Sequence, residues 1–479
     1  MHAADGSDLS CHAGASLDWR RWLVLIGIML VGFVQCLAWM TYSGNPDVVR
    51  EYYGLCSGPE PCQEAVNTED MLLNWGPIMY LLVAPGVAVV SSRHIENVWW
   101  VVLVAGLLSA TGVVIRLLPS LLPSMLPPAS TLALWCLHVG QALNAAAGPA
   151  NCSTPSIVAA IWFPPRERTA ATAAVFALQT AGPAIGFLLA LPVRHGGSQA
   201  LVALLAAEAV LAVVAVAFWA LLPKRPSVPP SVSQELRGTG ASSCQGPSAR
   251  RWLSATMLFL AGGLNCGFFQ IWAASMPAQL EGLLSPGLLK WLAFDVNMAS
   301  LAGTLVVGPL VTAFGLASRL RGAMGVQLLV QLLGYSAFAV LLNGPTDRHA
   351  SQTWLLVALL IVASLAQGAL GPLVYELSAE LTYPHPESTS GTIYAMTLNG
   401  FGLLLGLVQS HLPSNLDTFS MVGACLVAGV FLALVREDYA RQAVDAPPAE
   451  AQGVDGRPLC VDSMDAQGAP PSDPSSFGA

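Results

Sequence analysis

Charged residues make up only 10% of this 479-residue chain, against about 25% in soluble domains. That scarcity, beside 54% hydrophobic residues, excludes an ordinary soluble globule. No run of Lys and Arg suggests nucleic acid as a partner. The ten cysteines show no zinc spacing, so no metal and no cofactor is expected. A P-loop is missing, which excludes ATP as the direct energy source, and so is the His-Glu-x-x-His pair of a metalloprotease. An aspartyl intramembrane protease needs two acids on facing spans, and Asp295 is the one aspartate within a span. Catalysis is therefore not expected. No cleavable signal peptide is expected, because the first apolar stretch starts too late and is too long for one, and it is expected to serve as an uncleaved anchor.

What is abundant is apolar sequence in blocks that match the roughly 30 Å core of a bilayer. About twelve such blocks can be placed by hydropathy, six on each side of a polar segment. Organisation follows from this: a polar N-terminus 1–19, a six-helix half 20–222, a linker 223–251, a second half 252–438 and a polar tail 439–479. The termini and the linker are rich in Pro, Ser and Gly, a composition that predicts disorder. If the N-terminus is cytosolic, only Arg50, Arg116, Arg194, Lys290 and Arg348 of the 20 Lys and Arg fall on the outer side. The remaining 15 lie inside, so both termini are expected in the cytosol. Cys56 and Cys62 share one outer loop, where a disulfide and two free thiols are both open.

The halves contain a repeat. Residues 162–182 and 382–402 align without a gap, pairing Pro164 with Pro384, Glu167 with Glu387, Thr172 with Thr392 and Gly182 with Gly402. Each copy is a polar loop running into an apolar helix. Paired halves of this kind are an architecture of secondary transporters, with substrate bound near the midplane. Gln179 pairs with Asn399 and lies 11 residues past Arg168, about 16 Å into the helix. The two amides are candidate substrate ligands, although each could equally bond a neighbouring helix.

Other polar residues within spans should face the bundle interior. Gln35, Trp39 and Tyr42 share one helix face, and Trp75 enters at a similar depth to Trp39. Phe269 and Trp272 are spaced to share a face with Asn265, while His138, Gln141 and Asn144 form a stripe on the fourth span. Aromatic rings among amides suit a cation or a flat ring; Trp and Tyr also form the interfacial belt of any membrane protein. The acids within spans are Glu208, Asp295, Glu376 and Glu380. Glu376 and Glu380, one turn apart beside the Thr-Tyr-Pro loop, are candidates for an inner-gate latch or a proton relay.

Several stretches carry a family resemblance: RRWLVLIGIMLVGFVQCLAWMTYS at 20–43, GQALNAAAGP at 140–149, IWFPPRERTAATA at 161–173 and YELSAELTYPHPESTSG at 375–391. They resemble the feline leukaemia virus subgroup C receptor-related transporters (solute carrier family 49), a branch of the major facilitator superfamily. LLNWGPI at 72–78 most resembles the disrupted-in-renal-carcinoma branch. The resemblance covers roughly residues 20–438 and implies an all-α facilitator fold of about twelve transmembrane helices with alternating access. It implies substrates such as choline, ethanolamine, a vitamin B6-like solute or haem, and a plasma or lysosomal/endosomal membrane. In choline-type relatives a first-helix Trp and an eleventh-helix Gln line the site; Trp39 matches the first and Asn399 replaces the second. Their fifth-helix Gln aligns with Thr180, leaving Gln179 beside it. The superfamily's acidic loop after the second helix reads Ser91-Ser92-Arg93-His94 here, without its acid.

The sequence thus predicts a monomeric transporter of a small organic solute, with the proton as a candidate coupling ion. Trp39, Trp75, Gln179, Thr180, Asn399, Gln35, Gln141 and Trp272 are the expected substrate-binding residues, and Glu376 and Glu380 the expected gate. A haem or porphyrin exporter and a non-transporting sensor are the alternatives.

Overall fold

The computed structural model describes residues 18–56, 62–231, 234, 246–280, 286–344, 349–409 and 419–445, and its regular structure is helical throughout. The first half contains α1 (Arg21–Met40), the short α2 (Pro46–Tyr53), α3 (Gln63–Arg93), α4 (Ile95–Leu121) and α5 (Thr131–Trp162). It closes with α6 (Pro165–Val193) and α7 (His195–Ala220). The second half contains α8 (Ala249–Gln279), α9 (Pro286–Ala313), α10 (Leu320–Leu342), α11 (His349–Thr382), α12 (Glu387–Gln409) and α13 (Ser420–Leu434), followed by a short α14 (Ala440–Asp445).

Ten of these helices are long and apolar enough to cross a bilayer, against the twelve expected. The two others are α5 and α13. The 32 residues of α5 include Gln141, Asn144, Asn151, Ser153 and Thr154, which dilute its hydropathy, and α13 is apolar but only 15 residues long. Both pack within the bundle and complete two sets of six. α6 and α7 run on from one another with a single break at Gly197, whose φ of 60° and ψ of −147° suit a residue without a side chain. Ser130 and Ser248 cap α5 and α8 by accepting from the backbone N–H of Ala133 and Arg251.

The polar ends were expected to be disordered; residues 1–17, most of the linker and 446–479 lie outside the described residues. The tail departs from that expectation at its start. Residues 440–445 form α14, and Arg441 is buried. In the outer loop Cys56 and Cys62 are joined by a disulfide, next to α2, which ends on Gly54 in the left-handed region at φ 64°.

A second departure concerns Arg116. It does not sit in an outer loop but inside α4, fully buried. Its guanidinium donates to the Ala38 carbonyl and to Gln141 Oε1, each at 2.8 Å, and lies 3.6 Å from Glu208 of α7. The Glu208 carboxylate also accepts from the Thr41 hydroxyl. One intramembrane acid thereby has its partner, and α1, α4, α5 and α7 share a polar centre. A charge so placed is stable only because it is paired and hydrogen-bonded.

The repeat becomes a packing rule. At Gly182 a Cβ would stand 2.8 Å from the Leu37 nitrogen and 2.9 Å from the Phe33 oxygen, so the glycine lets α6 press against α1. Its counterpart Gly402 also faces α8, but there the close approach is made by Gly267, where a Cβ would stand 2.2 Å from the Leu398 oxygen of α12. Gly182→Ala is expected to lower the stability of the purified protein by about 1–3 kcal/mol, because backbone atoms cannot yield. Gly423→Ala, where a Cβ would meet nothing within 4 Å, should leave the thermal unfolding midpoint unchanged.

Candidate functional site

Between the halves lies a cavity of about 240 Å³. From the first half, α1 contributes Cys36, Trp39 and Met40, α3 Tyr80, α5 Cys152, and α6 the stretch from Phe176 to Phe187. From the second half, α8, α9, α11 and α12 supply the facing wall. A bridge of rings crosses between them: Phe176 of α6 stacks on Tyr375 of α11 at 4.6 Å, and Tyr375 meets Tyr394 of α12 edge-on at 4.8 Å. The wall holds seven aromatic residues and five side-chain amides, and among the described residues that line it none is Asp, Glu, Lys, Arg or His.

Four of the eight expected substrate residues line this cavity: Trp39, Gln179, Thr180 and Asn399. Gln179 is held by donating its Nε2 to the Asn151 carbonyl of α5 at 2.9 Å. Gly32 leaves room for that amide, since a Cβ there would stand 2.7 Å from Nε2. Thr180 bonds back to the Phe176 carbonyl, and Asn399 Nδ2 donates to the Ala395 carbonyl one turn below. Trp39 stands against Gly76 of α3, where a Cβ would lie 3.1 Å from the indole nitrogen.

The other four are not part of the cavity wall. Gln141 is fixed among backbone: its Nε2 donates to the Trp39 and Leu72 carbonyls, and its Oε1 accepts from Arg116. Gln35 lies on the α5 side of α1, where its own carbonyl accepts from Asn144; the adjacent Cys36 takes the cavity face instead. Trp75 donates its indole N–H to His138 Nδ1 at 3.3 Å, and Trp272 packs edge-on against Tyr335 between α8 and α10. Same-face spacing located these residues correctly along their helices. It could not tell a face turned to the cavity from one turned to a neighbour.

Tyr80, Phe176, Tyr375, Tyr394, Gln270, Asn297 and Gln367 line the cavity without having been anticipated. For Phe176 and Tyr375 a signal was present: each falls within a stretch that carries the repeat or the family resemblance. The cavity also holds three thiols, Cys36, Cys152 and Cys266, of which Cys152 lies 3.1 Å from the Tyr80 hydroxyl.

No protein-family model matches the chain. A solute carrier family 49 member 4 homolog of Xenopus tropicalis is 27% identical, the match covering 89% of this chain and 93% of the relative. A choline/ethanolamine transporter of Danio rerio is 26% identical over 91% of this chain and 90% of the relative. In three dimensions the chain is similar to a proton:xylose symporter of the major facilitator superfamily, with a TM-score of 0.63, 14% identity, and coverage of 87% and 96%. The fold is that of a major facilitator. The chain is thus similar to a solute carrier family 49 member and to a protein named as a choline/ethanolamine transporter.

At the end of the bundle nearest the termini, the tail packs onto the helices through α14. Arg441 of α14 reaches three carboxylates: its Nε bonds Glu380 at 3.0 Å, one NH group lies 3.4 Å from Glu387 and the other bonds Glu376. The second Glu380 oxygen accepts the backbone N–H of Arg441 and of Gln442. Burial works against the Arg441 charge, yet Glu376, Glu380 and Glu387 together hold its pKa above the ordinary arginine value. Asp445, four residues on, pairs with Arg168 of α6 at 3.0 Å. The six residues of α14 thus tie α11 and α12 to the opposite half. Arg251, opening α8, adds bonds to the Glu380 and Tyr383 carbonyls.

Breaking one partner of such a buried cluster strands the others. Arg441→Gln is expected to lower stability by about 3–5 kcal/mol, read as a drop in thermal midpoint. It should also quicken labelling of Cys152 by a membrane-impermeant maleimide added on the side of the termini. Unchanged labelling would mean that the tail does not close that end.

Proposed function

We propose that this protein carries a small organic cation across its membrane by alternating access, with the cavity between the two halves as the binding site. The observation that carries the reading is the composition of the wall: seven aromatic rings and five amides with no charged side chain. Ring faces attract a cation by their quadrupole and offer nothing to an anion. A quaternary ammonium group suits such a box because it needs no hydrogen-bond acceptor, while amide carbonyls orient a hydroxyl or a ring substituent nearby. The choline/ethanolamine transporter among the relatives supports that class; a vitamin B6-like ring, able to stack on Tyr375, is the second candidate.

In this reading Trp39 and Tyr375 are ring walls, Gln179, Thr180 and Asn399 give polar contacts, and Glu376 and Glu380 belong to the gate through Arg441. The acids of α11 are engaged by Arg441, which favours the membrane potential over a proton as the driving force. A single copy provides the whole cavity, which favours a monomer. The excess of Lys and Arg on the side of the termini favours a cytosolic placement of both, in the plasma membrane or an endolysosomal one. A porphyrin exporter is less well supported, since carboxylated tetrapyrroles would find no Lys, Arg or His on the wall.

The test is uptake of labelled choline, ethanolamine and pyridoxine into proteoliposomes. Trp39→Ala and Tyr375→Ala should each reduce uptake of the transported solute about tenfold, the order expected for a desolvated cation–π contact. Asn399→Ala should reduce it with protein abundance intact. Saturable binding without flux would overturn the transport reading in favour of a sensor.

A further inference from the structure

A second hollow lies apart from the cavity between the halves. It lies between α10 and α13, has a volume of about 450 Å³ and belongs to neither the cavity nor the latch. Its walls are Leu328, Leu332, Leu432 and neighbouring apolar residues, with Gly325 on one helix and Gly429 on the other. In membrane helices such glycines ordinarily allow two backbones to meet. Gly334, further along α10, does so, since a Cβ there would stand 2.9 Å from Ala363. At Gly325 and Gly429 a Cβ would meet nothing within 4 Å. These two glycines bring no protein atoms together; they keep a channel open.

One end of the channel is charged. Arg321 lines it and begins the first turn of α10. One of its NH groups donates to the Val435 carbonyl at 2.7 Å, which holds the side chain at the mouth. Arg319 lies two residues before it and Arg436 directly follows Val435, so two further arginines flank this end along the chain. The opposing acids are Glu437, which accepts from the Arg321 backbone N–H and the Tyr439 hydroxyl, and Asp438, which pairs with Arg251. The balance at the mouth is positive. From Arg321 to Leu332 the groove runs about 16 Å along α10 at 1.5 Å per residue, close to half of the roughly 30 Å bilayer core.

We propose that this groove binds one anionic phospholipid from the surrounding bilayer, with its phosphate at Arg321 and an acyl chain lying over Gly325 and Gly429. The depth fits a chain of a single leaflet, and the charge at the mouth complements an acidic headgroup. Basic pockets between membrane helices recognise acidic lipids in this way. The groove lies outside the transport cavity, so the proposal does not depend on which solute is carried.

The experiment is native mass spectrometry of the full-length protein released from nanodiscs containing equal phosphatidylglycerol and phosphatidylcholine, together with thermal midpoints in each lipid alone. The unmodified protein should retain one phosphatidylglycerol in preference to phosphatidylcholine and melt higher in the acidic lipid. Arg321→Gln should weaken retention about fivefold, as expected for loss of about 1 kcal/mol of headgroup attraction. Gly429→Leu fills open space and should fold normally, yet it should displace the lipid and abolish the difference in midpoint. Gly325→Leu gives an independent second blockade. Equal retention of the two lipids by the unmodified protein would overturn the proposal, as would full retention by a folded Gly429→Leu or Gly325→Leu protein.

Discussion

A polar group that enters the hydrocarbon core must find its partner within the protein. This requirement sorts the polar residues of the chain into two sets. Arg116, Gln141, Asn144 and Glu208 are consumed by one another and by backbone carbonyls, and they weld four helices of the first half. Gln179 and Asn399 keep one end tied to their own surroundings and the rest of the amide at the cavity. The first set welds four helices of one half together, while the second leaves polar groups at the cavity between the halves.

The symmetry of the chain extends further than its polar loops. Arg20-Arg21-Trp22-Leu23 opens α1 and Arg250-Arg251-Trp252-Leu253 opens α8. In the first copy of the repeat Glu167 pairs with Arg21 at 3.1 Å, so the short loop is tied to the helix that starts its own half. In the second copy the corresponding Glu387 turns to Arg441, and Arg251 serves the carbonyls at the end of α11 instead. One half is closed on itself and the other is closed by the tail.

Much of the architecture was legible in the sequence because bilayer thickness imposes a length that apolar blocks must match. The two-half division, the midplane amide pair and the glycines behind them could be read from alignment of the chain with itself. The gate glutamates were also visible, one turn apart beside a proline loop. Their partner was not, because Arg441 sits in a polar stretch whose composition reads as unstructured, and one buried guanidinium does not alter composition. Arg116 was misplaced for a related reason: a single charge in a span looks like the edge of a loop until Glu208, far along the chain, is known to face it. The cavity aromatics were harder still, since a Tyr or Phe on a membrane helix is equally at home against lipid, a neighbour or a solute.

Arg441, which binds the three glutamates, is also among the last of the described residues to be made. Glu387 is separated from Arg441 by 54 residues, and at about 5–20 residues per second a ribosome needs roughly 3–11 s to cover that distance. Through that interval the acids of α11 and α12 are in place without their cation, and the two halves can pack but not be fastened. A chain cut short before residue 441 would contain all its long helices and still lack the cation that joins α11 and α12.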